Sequence, residues 1–98
     1  MMRVIVPVPL RHLADLADEV QLDLQGQASL KEVLDALEER YPALKGTLRQ
    51  PESGQRCGFI RFYAGGQDLS NQDMLASLPA EVTSGREALR IVAAMAGG

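Results

Sequence analysis

The sequence predicts an α+β domain in which a mixed sheet of four to five strands carries one main helix across one face. Segments with strand-like patterns flank one well-marked helix, in the order strand, strand, helix, strand, strand. The crossover between the first and last strands contains that helix, so these two strands can pair side by side in parallel. A chain of 98 residues has room for one core. We therefore expect residues 1–98 to form one domain.

The strands are predicted from alternating apolar residues and from β-propensity. They cover residues 3–8, 20–24, 59–63 and 88–93. Two prolines limit the ladder pairing of the first strand. The segment that follows it, residues 10–19, is predicted to be a loop or a short helical turn.

The main helix has the clearest start and end of any element. Ser29 and Glu32 form the pattern of a capping box, in which each side chain satisfies a backbone N–H of the other residue. Pro42 disfavours helix at the residue before it, so the helix is predicted over residues 30–41. Its core face carries apolar residues at helical spacing, namely Leu30, Val33, Leu34 and Leu37. Glu38 and Glu39 are predicted to be solvated.

The remaining segments are predicted to be turns and loops. Residues 49–58 are polar and contain glycine and proline, which favours a flexible loop. Gly65-Gly66 and residues 83–86 indicate turns. Residues 67–79 are predicted to be irregular, with apolar anchors at Leu69, Met74 and Leu78.

The composition leaves few catalytic side chains. One cysteine and one histidine exclude a disulfide framework and a Cys-ligated cluster within the chain, and disfavour a metal triad or a His-based catalytic site. Cys57 is predicted to be a free thiol in a loop, and His12 a surface residue. Asp15, Asp18 and Glu19 are predicted to be a solvated acidic turn rather than metal ligands. We therefore expect no catalytic residue of its own and no metal site.

Charge and hydropathy disfavour two further classes of partner. Ten Lys and Arg against thirteen Asp and Glu give a net charge of −3, whereas a dedicated nucleic-acid binder normally has a basic stripe. No segment has the length of a membrane span or of a secretory signal. We expect a cytoplasmic protein with no nucleic-acid or membrane partner.

The sequence ends in Gly97-Gly98. Glycine has no side chain, so an extended Gly-Gly can enter a narrow channel and carry its carboxylate into the active site of another protein. That carboxylate is a poor electrophile until it is activated, for instance as an acyl-adenylate. By itself the dipeptide is weak evidence, because small residues are common at chain ends.

The order of these segments adds to the evidence from the terminus, because the chain resembles the ubiquitin-like β-grasp sulfur carriers of the MoaD/ThiS family over nearly its whole length. The matching segments are Val4-Ile5-Val6-Pro7, Leu10-Arg11-His12-Leu13, residues 20–24, Ser29-Leu30-Lys31-Glu32-Val33-Leu34, Phe59-Ile60-Arg61-Phe62-Tyr63 with Gly65-Gly66-Gln67-Asp68, Gly85-Arg86-Glu87-Ala88-Leu89-Arg90-Ile91 and Ala96-Gly97-Gly98. The chain departs from the family in lacking a proline shortly before Gly-Gly. The longer loop over residues 45–58 makes the molybdopterin-type and cysteine-biosynthesis-type carriers the better analogues.

The resemblance implies a ubiquitin-like β-grasp fold and a carrier function. An activating adenylyltransferase would use ATP to adenylate the Gly98 carboxylate, and a sulfur donor would convert the adenylate to a thiocarboxylate. The sulfur would then pass to an acceptor enzyme of cofactor or amino-acid biosynthesis. Residues 94–98 would form a flexible tail, with Met95, Ala96 and Gly97 entering the partner's active site. The chain itself would bind no cofactor.

The strand pattern also predicts a docking face for these partners. Alternation directs one set of residues toward the helix, namely Val4, Val6, Ile60, Phe62, Leu89 and Ile91. The opposite set is an apolar patch framed by arginines: Ile5, Phe59, Arg61, Tyr63, Arg90 and Val92. Such a patch suits docking onto another protein.

Two other functions fit the same sequence. The first is a ubiquitin-like modifier that is joined through Gly98 to lysines of other proteins. The second is a β-grasp binding module in which Gly-Gly is incidental. An independent enzyme is disfavoured, because one histidine and one cysteine give no nucleophile–base pair with a meaningful spacing.

Overall fold

The computed structural model describes residues 1–24 and 28–93, which contain one five-stranded mixed sheet. The strands are β1 (Met2–Ile5), β2 (Glu19–Leu22), β3 (Ile60–Ala64), β4 (Gln67–Asp68) and β5 (Leu89–Ala93). They lie in the order β2-β1-β5-β3-β4. β1 and β5 pair in parallel, while the other neighbours are antiparallel. The predicted parallel pairing of the first and last strands is confirmed.

The helices are α1 (Val8–Ala14), α2 (Leu30–Arg40) and α3 (Ala80–Thr83), with a 3-10 turn over Pro42–Leu44. The predicted capping box starts α2: the backbone N–H of Glu32 donates to Ser29 Oγ at 3.3 Å, and the backbone N–H of Ser29 donates to Glu32 Oε1 at 3.2 Å. The helix ends at Arg40, one residue before the predicted end.

The core lies between α2 and one face of the sheet. All four predicted apolar residues of α2 are fully buried, in one cluster with the inward-facing strand residues. Those strand residues are Val4, Ile60, Phe62, Leu89 and Ile91, as the alternation predicts, and Val6, just after β1, is buried with them. Burying each such side chain contributes roughly 1.5–3 kcal/mol before entropy is counted. This packing leaves the alternate residues of β1, β3 and β5 on the other face.

The N-terminal region differs from the prediction. β1 ends at Ile5 rather than at residue 8, and α1 begins at Val8 and covers the first half of the segment that was predicted to be a loop or a short helical turn. Pro7 caps α1, and its carbonyl accepts the backbone N–H of Leu10 and Arg11 at 3.0 Å each. A proline in the first turn of a helix sacrifices no helical hydrogen bond. Pro7 and Pro9, which were predicted to limit the ladder pairing of the first strand, therefore lie at the start of a helix.

The loop over residues 49–58 is held against α2 by its first residue, rather than being free as predicted. Arg49 Nε and Nη2 donate to the two carboxylate oxygens of Glu38 at 3.1 Å each, and Nη2 also donates to Asp35. Glu38 was predicted to be solvated, but its side chain is only 12% exposed. Glu39 is exposed, as predicted.

The far end of the same loop is also fixed. The Arg56 guanidinium donates to the carbonyl oxygens of Ile60 at 2.7 Å and Ser70 at 3.0 Å, which ties the loop to the start of β3. Cys57 is a free thiol, as predicted, but it is buried, with Sγ 3.9 Å from the carbonyl oxygen of Gly46.

Candidate docking face and carrier terminus

The open face is the sheet face that α2 leaves uncovered, formed by the alternate residues of β1, β3 and β5. Strand alternation places five of the six predicted docking residues on it: Ile5, Arg61, Tyr63, Arg90 and Val92. The sixth, Phe59, immediately precedes β3 and is 42% exposed. The structure therefore brings five of the six predicted residues together on one surface.

The strand register sets three of these residues in one row. Ile5 on β1 lies opposite Arg90 on β5, and Arg90 lies opposite Tyr63 on β3. The row continues to Asp68 on the edge strand β4. Arg90 thus stands on the central strand of the sheet, between an aliphatic and an aromatic neighbour.

Two arginines of the open face are paired within the chain. Arg3 Nη1 lies 3.1 Å from Glu19 Oε1, and Arg61 Nη1 lies 3.4 Å from Asp68 Oδ2. Hydrogen bonds from Ser70 hold the pKa of Asp68 below its usual value, with a smaller contribution from the nearby Arg61. Asp68 and Arg61 thus form a solvent-exposed ion pair at one edge of the open face.

Arg90 is different, because within residues 1–24 and 28–93 its guanidinium forms no ion pair and no side-chain hydrogen bond. The side chain is exposed. The centre of the open face therefore presents an unpaired positive charge.

A shallow depression of about 530 Å³ lies beside Arg90. Its walls include Ile5, Tyr63 and the Gly65-Gly66 turn, together with Arg3 and Glu87. Glu87 is exposed, and its carboxylate has no partner among the described residues. The depression therefore holds one unpaired cation and one unpaired anion.

Arg3 fixes one wall of this depression. Its Nε donates to the Gly85 carbonyl at 2.7 Å, and its Nη2 donates to the Arg86 carbonyl at 3.1 Å. Gly85 has φ +86°, and a Cβ at this position would lie 2.3 Å from the carbonyl oxygen of Met1. Only glycine fits such a close approach in the left-handed region. The predicted turn over residues 83–86 is thus locked against β1.

Arg3 and Glu87 lie outside the predicted docking set. Arg3 could have been found, because it alternates with Ile5 on the same face of β1. Glu87 could not have been found in this way, because it precedes β5 and strand alternation does not predict the direction of its side chain.

The predicted tail over residues 94–98 lies outside the described residues, so Met95, Ala96, Gly97 and Gly98 are not placed by the structure. The last described residue, Ala93, lies opposite Ile60 at the end of β5. Gly98 follows five residues later, and five residues span at most about 17 Å when fully extended. Central strand β5 therefore connects the open face to the Gly-Gly end.

The other predicted residues lie elsewhere. His12 is exposed on α1. In residues 1–24 and 28–93, no group of three or more His, Cys, Asp or Glu side chains is arranged to hold a metal ion. Nor does any helix in this part of the chain have the length and apolarity that crossing a membrane requires.

No protein-family model matches the sequence, and a search of curated proteins gives no significant match. Solved structures do match. Small archaeal modifier protein 1 from Haloferax volcanii is 23% identical, with a TM-score of 0.75 over 99% of this chain and 98% of that one. A chain of the BexX/CysO complex of Amycolatopsis orientalis is 23% identical, with a TM-score of 0.77 over all of both chains. CysO of Mycobacterium tuberculosis is 24% identical, with a TM-score of 0.72 over 95% and 98%.

These similarities extend over nearly the full length of each protein, and the TM-scores of 0.72 to 0.77 show that the fold is shared. The chain therefore has the ubiquitin-like β-grasp fold that the sequence predicts.

Proposed function

We propose that this protein is a sulfur carrier whose working group is the α-carboxylate of Gly98. The observation that carries the proposal is the connection between the β-grasp sheet and the Gly-Gly end. The central strand β5 passes through the open face and ends at Ala93, five residues before Gly98. A partner that docks on the open face would therefore have the carboxylate within a short reach.

The chemistry would occur on that carboxylate and in partner enzymes. An activating adenylyltransferase joins the Gly98 carboxylate to the α-phosphate of ATP and releases pyrophosphate. A sulfur donor then displaces AMP and leaves a thiocarboxylate. In the acceptor enzyme of cofactor or amino-acid biosynthesis, the thiocarboxylate sulfur bonds to the enzyme's substrate and displaces a leaving group from it. Water then cleaves the bond between the Gly98 acyl carbon and sulfur, which leaves the sulfur on that substrate and restores the Gly98 carboxylate.

The composition and the neighbouring structures support a role as co-substrate. The chain has one histidine, exposed on α1, and one cysteine, buried behind β3, so its side chains offer no nucleophile–base pair. CysO occurs in a complex with BexX, which shows that a protein of this fold associates with a partner. We propose the same for this chain, with Met95, Ala96 and Gly97 leading Gly98 into the partner's active site.

A second candidate is a ubiquitin-like modifier, favoured by the similarity to small archaeal modifier protein 1. In that case the amine of a lysine, rather than sulfur, would displace AMP from the activated Gly98. Both functions require the same first step, activation of the carboxylate.

The test of that step is ATP–pyrophosphate exchange with a purified activating enzyme of the ubiquitin-activating type from the same organism. We expect exchange that depends on this protein and is lost when Gly98 is deleted. Gly58→Ala is the matched control, because a Cβ at Gly58 contacts nothing within 4 Å. Exchange that survives deletion of Gly98 would refute the proposal and leave a binding module with an incidental Gly-Gly.

A further inference from the structure

The last three described residues of β5 depend on β3 for their place in the sheet. The register of β1 with β5 ends where Ile5 lies opposite Arg90. Beyond that point, within the part of the chain that the structure describes, residues 91–93 pair in register with β3 alone. Their partners are residues 60–62, the first three residues of β3. Residues 91–93, which lead to Gly98, therefore keep their place only while the start of β3 keeps its own.

The start of β3 extends beyond the strand on its other side. β4 is two residues long, and its register reaches only Tyr63 and Ala64. Residues 60–62 therefore lie at an edge of the sheet, where backbone groups need other partners. Next to the end of β4, the backbone N–H of Leu69 donates to the carbonyl oxygen of Phe62 at 2.7 Å.

Two side chains bind the other edge groups of β3. Ser70 Oγ accepts the backbone N–H of Phe62 at 2.9 Å, and this hydrogen bond is buried. Arg56 Nη1 donates to the carbonyl oxygen of Ile60 at 2.7 Å, while Arg56 Nε donates to the carbonyl oxygen of Ser70 at 3.0 Å. Arg56 and Ser70 are thus joined to each other and to both ends of residues 60–62. Together they take the place of a neighbouring strand.

We propose that Arg56 and Ser70 are positioning residues for the C-terminal carboxylate. They hold the start of β3, and the start of β3 holds residues 91–93 in the sheet. If residues 91–93 left the sheet, the tether to Gly98 would lengthen from five residues to eight, or from about 17 Å to about 27 Å when fully extended. This inference rests on the proposed function, because it takes Gly98 as the working group.

A longer tether weakens the binding of the carrier to an activating enzyme. Each further residue that must be ordered when the enzyme binds the tail costs conformational entropy. Ordering the backbone of one more residue lowers the affinity roughly tenfold. The reacting carboxylate itself is unchanged, so the bound carrier reacts as before. We therefore expect loss of this support to raise the KM and to leave the turnover at saturation near that of the wild type.

Amide hydrogen exchange, followed by NMR on the full chain, tests the support without any enzyme. In Arg56→Gln, residues 60–62 and 91–93 should exchange about tenfold faster or more, the usual effect of losing a hydrogen bond to a charged group. The amides of α2 should change less. Ser70→Ala removes the acceptor of the Phe62 N–H and should give the same pattern, so it keeps the test valid if Arg56→Gln does not fold.

ATP–pyrophosphate exchange with the purified activating enzyme tests the consequence for Gly98. Arg56→Gln should raise the KM for the carrier about tenfold at unchanged turnover. Arg56→Lys should fall between this variant and the wild type, because a single ammonium replaces the fork of donors that reaches both carbonyls.

Two variants control for charge and for stability. Lys45→Gln removes one positive charge, as Arg56→Gln does, and Lys45 is exposed and forms no ion pair with the described residues. Ser29→Ala weakens the start of α2, where the Ser29 hydroxyl bonds to Glu32. Neither variant should raise the KM, and neither should accelerate exchange in residues 91–93 more than in α2.

The inference is wrong if Arg56→Gln and Ser70→Ala leave residues 91–93 as protected as in the wild type, or accelerate α2 equally. It is also wrong if residues 91–93 exchange faster while the KM stays the same. An equal rise of the KM in Lys45→Gln or Ser29→Ala would assign the effect to net charge or to stability, and would overturn it too.

These results leave the proposed function standing as long as the wild type is activated in a way that requires Gly98. If no activating enzyme acts on the wild type, the proposed function fails and the inference fails with it.

Discussion

Glu38 and Glu39 are adjacent on α2 but lie in different surroundings. Glu38 receives two hydrogen bonds from Arg49 and is largely buried, whereas Glu39 is exposed and forms no ion pair with the described residues. Glu38→Gln should lower the free energy of unfolding by about 1–2 kcal/mol, because it weakens a charge-assisted pair and leaves the Arg49 guanidinium underpaired. Glu39→Gln is the matched control and should change it by less than about 0.5 kcal/mol. Urea unfolding measures both, and equal effects would contradict the structure.

Asp35, which also pairs with Arg49, should make the stability of the protein depend on pH. Hydrogen bonds from Lys31 and then Arg49 hold the pKa of its carboxyl below the usual value. A lowered folded-state pKa stabilises the protein above the unfolded-state pKa, and this stabilisation is lost as pH falls through the folded value. Because the side chain is 44% exposed, the contribution should be small, about 0.5 kcal/mol.

Asp35→Asn tests this dependence. The variant should be less stable than wild type at pH 7, and the difference should vanish as the pH falls below about 4. The measurement is urea unfolding of both proteins across this range. A difference in stability that grows on acidification would show that the ionised carboxylate does not stabilise the fold.

At the scale of elements, α2 depends on its first residue. Ser29 accepts the backbone N–H of Glu32, and Glu32 reaches back to the backbone N–H of Ser29. Ser29→Ala removes one acceptor from a buried helix start, and it should cost about 1 kcal/mol of unfolding free energy. Ser29→Thr keeps a hydroxyl that accepts the backbone N–H of Glu32 and donates to the Glu32 carboxylate, so it should recover much of that loss. Thermal unfolding separates the two, and an equal loss in both would assign the effect to packing instead of capping.

Elements defined by local patterns were predictable. The capping box and the strand alternation require only neighbouring residues, so α2, β3 and β5 were placed within one residue at each end. α1 was not, because prolines fit both a strand edge and the first turn of a helix. The loop over residues 49–58 was not either, since Arg49 is held by carboxylates eleven and fourteen positions earlier in the sequence.

At the scale of the whole molecule, the sequence predicted which residues lie on the open face but not which of its arginines form ion pairs. Alternation alone selected Ile5, Tyr63 and Arg90 for one surface. Which arginines are neutralised depends on strand register and on the ends of the edge strands, and these arise only when the sheet assembles. The unpaired state of Arg90 is therefore a property of the fold.

The central claim is that the Gly98 carboxylate carries sulfur. The most direct measurement is the intact mass of the protein after incubation with ATP, an activating enzyme and a sulfide donor. Replacement of one oxygen by sulfur should appear in the wild type, map to the peptide that contains Gly98, and be absent when Gly98 is deleted. A chain that is activated but never gains sulfur, and instead forms conjugates with lysines of other proteins, would contradict the carrier account.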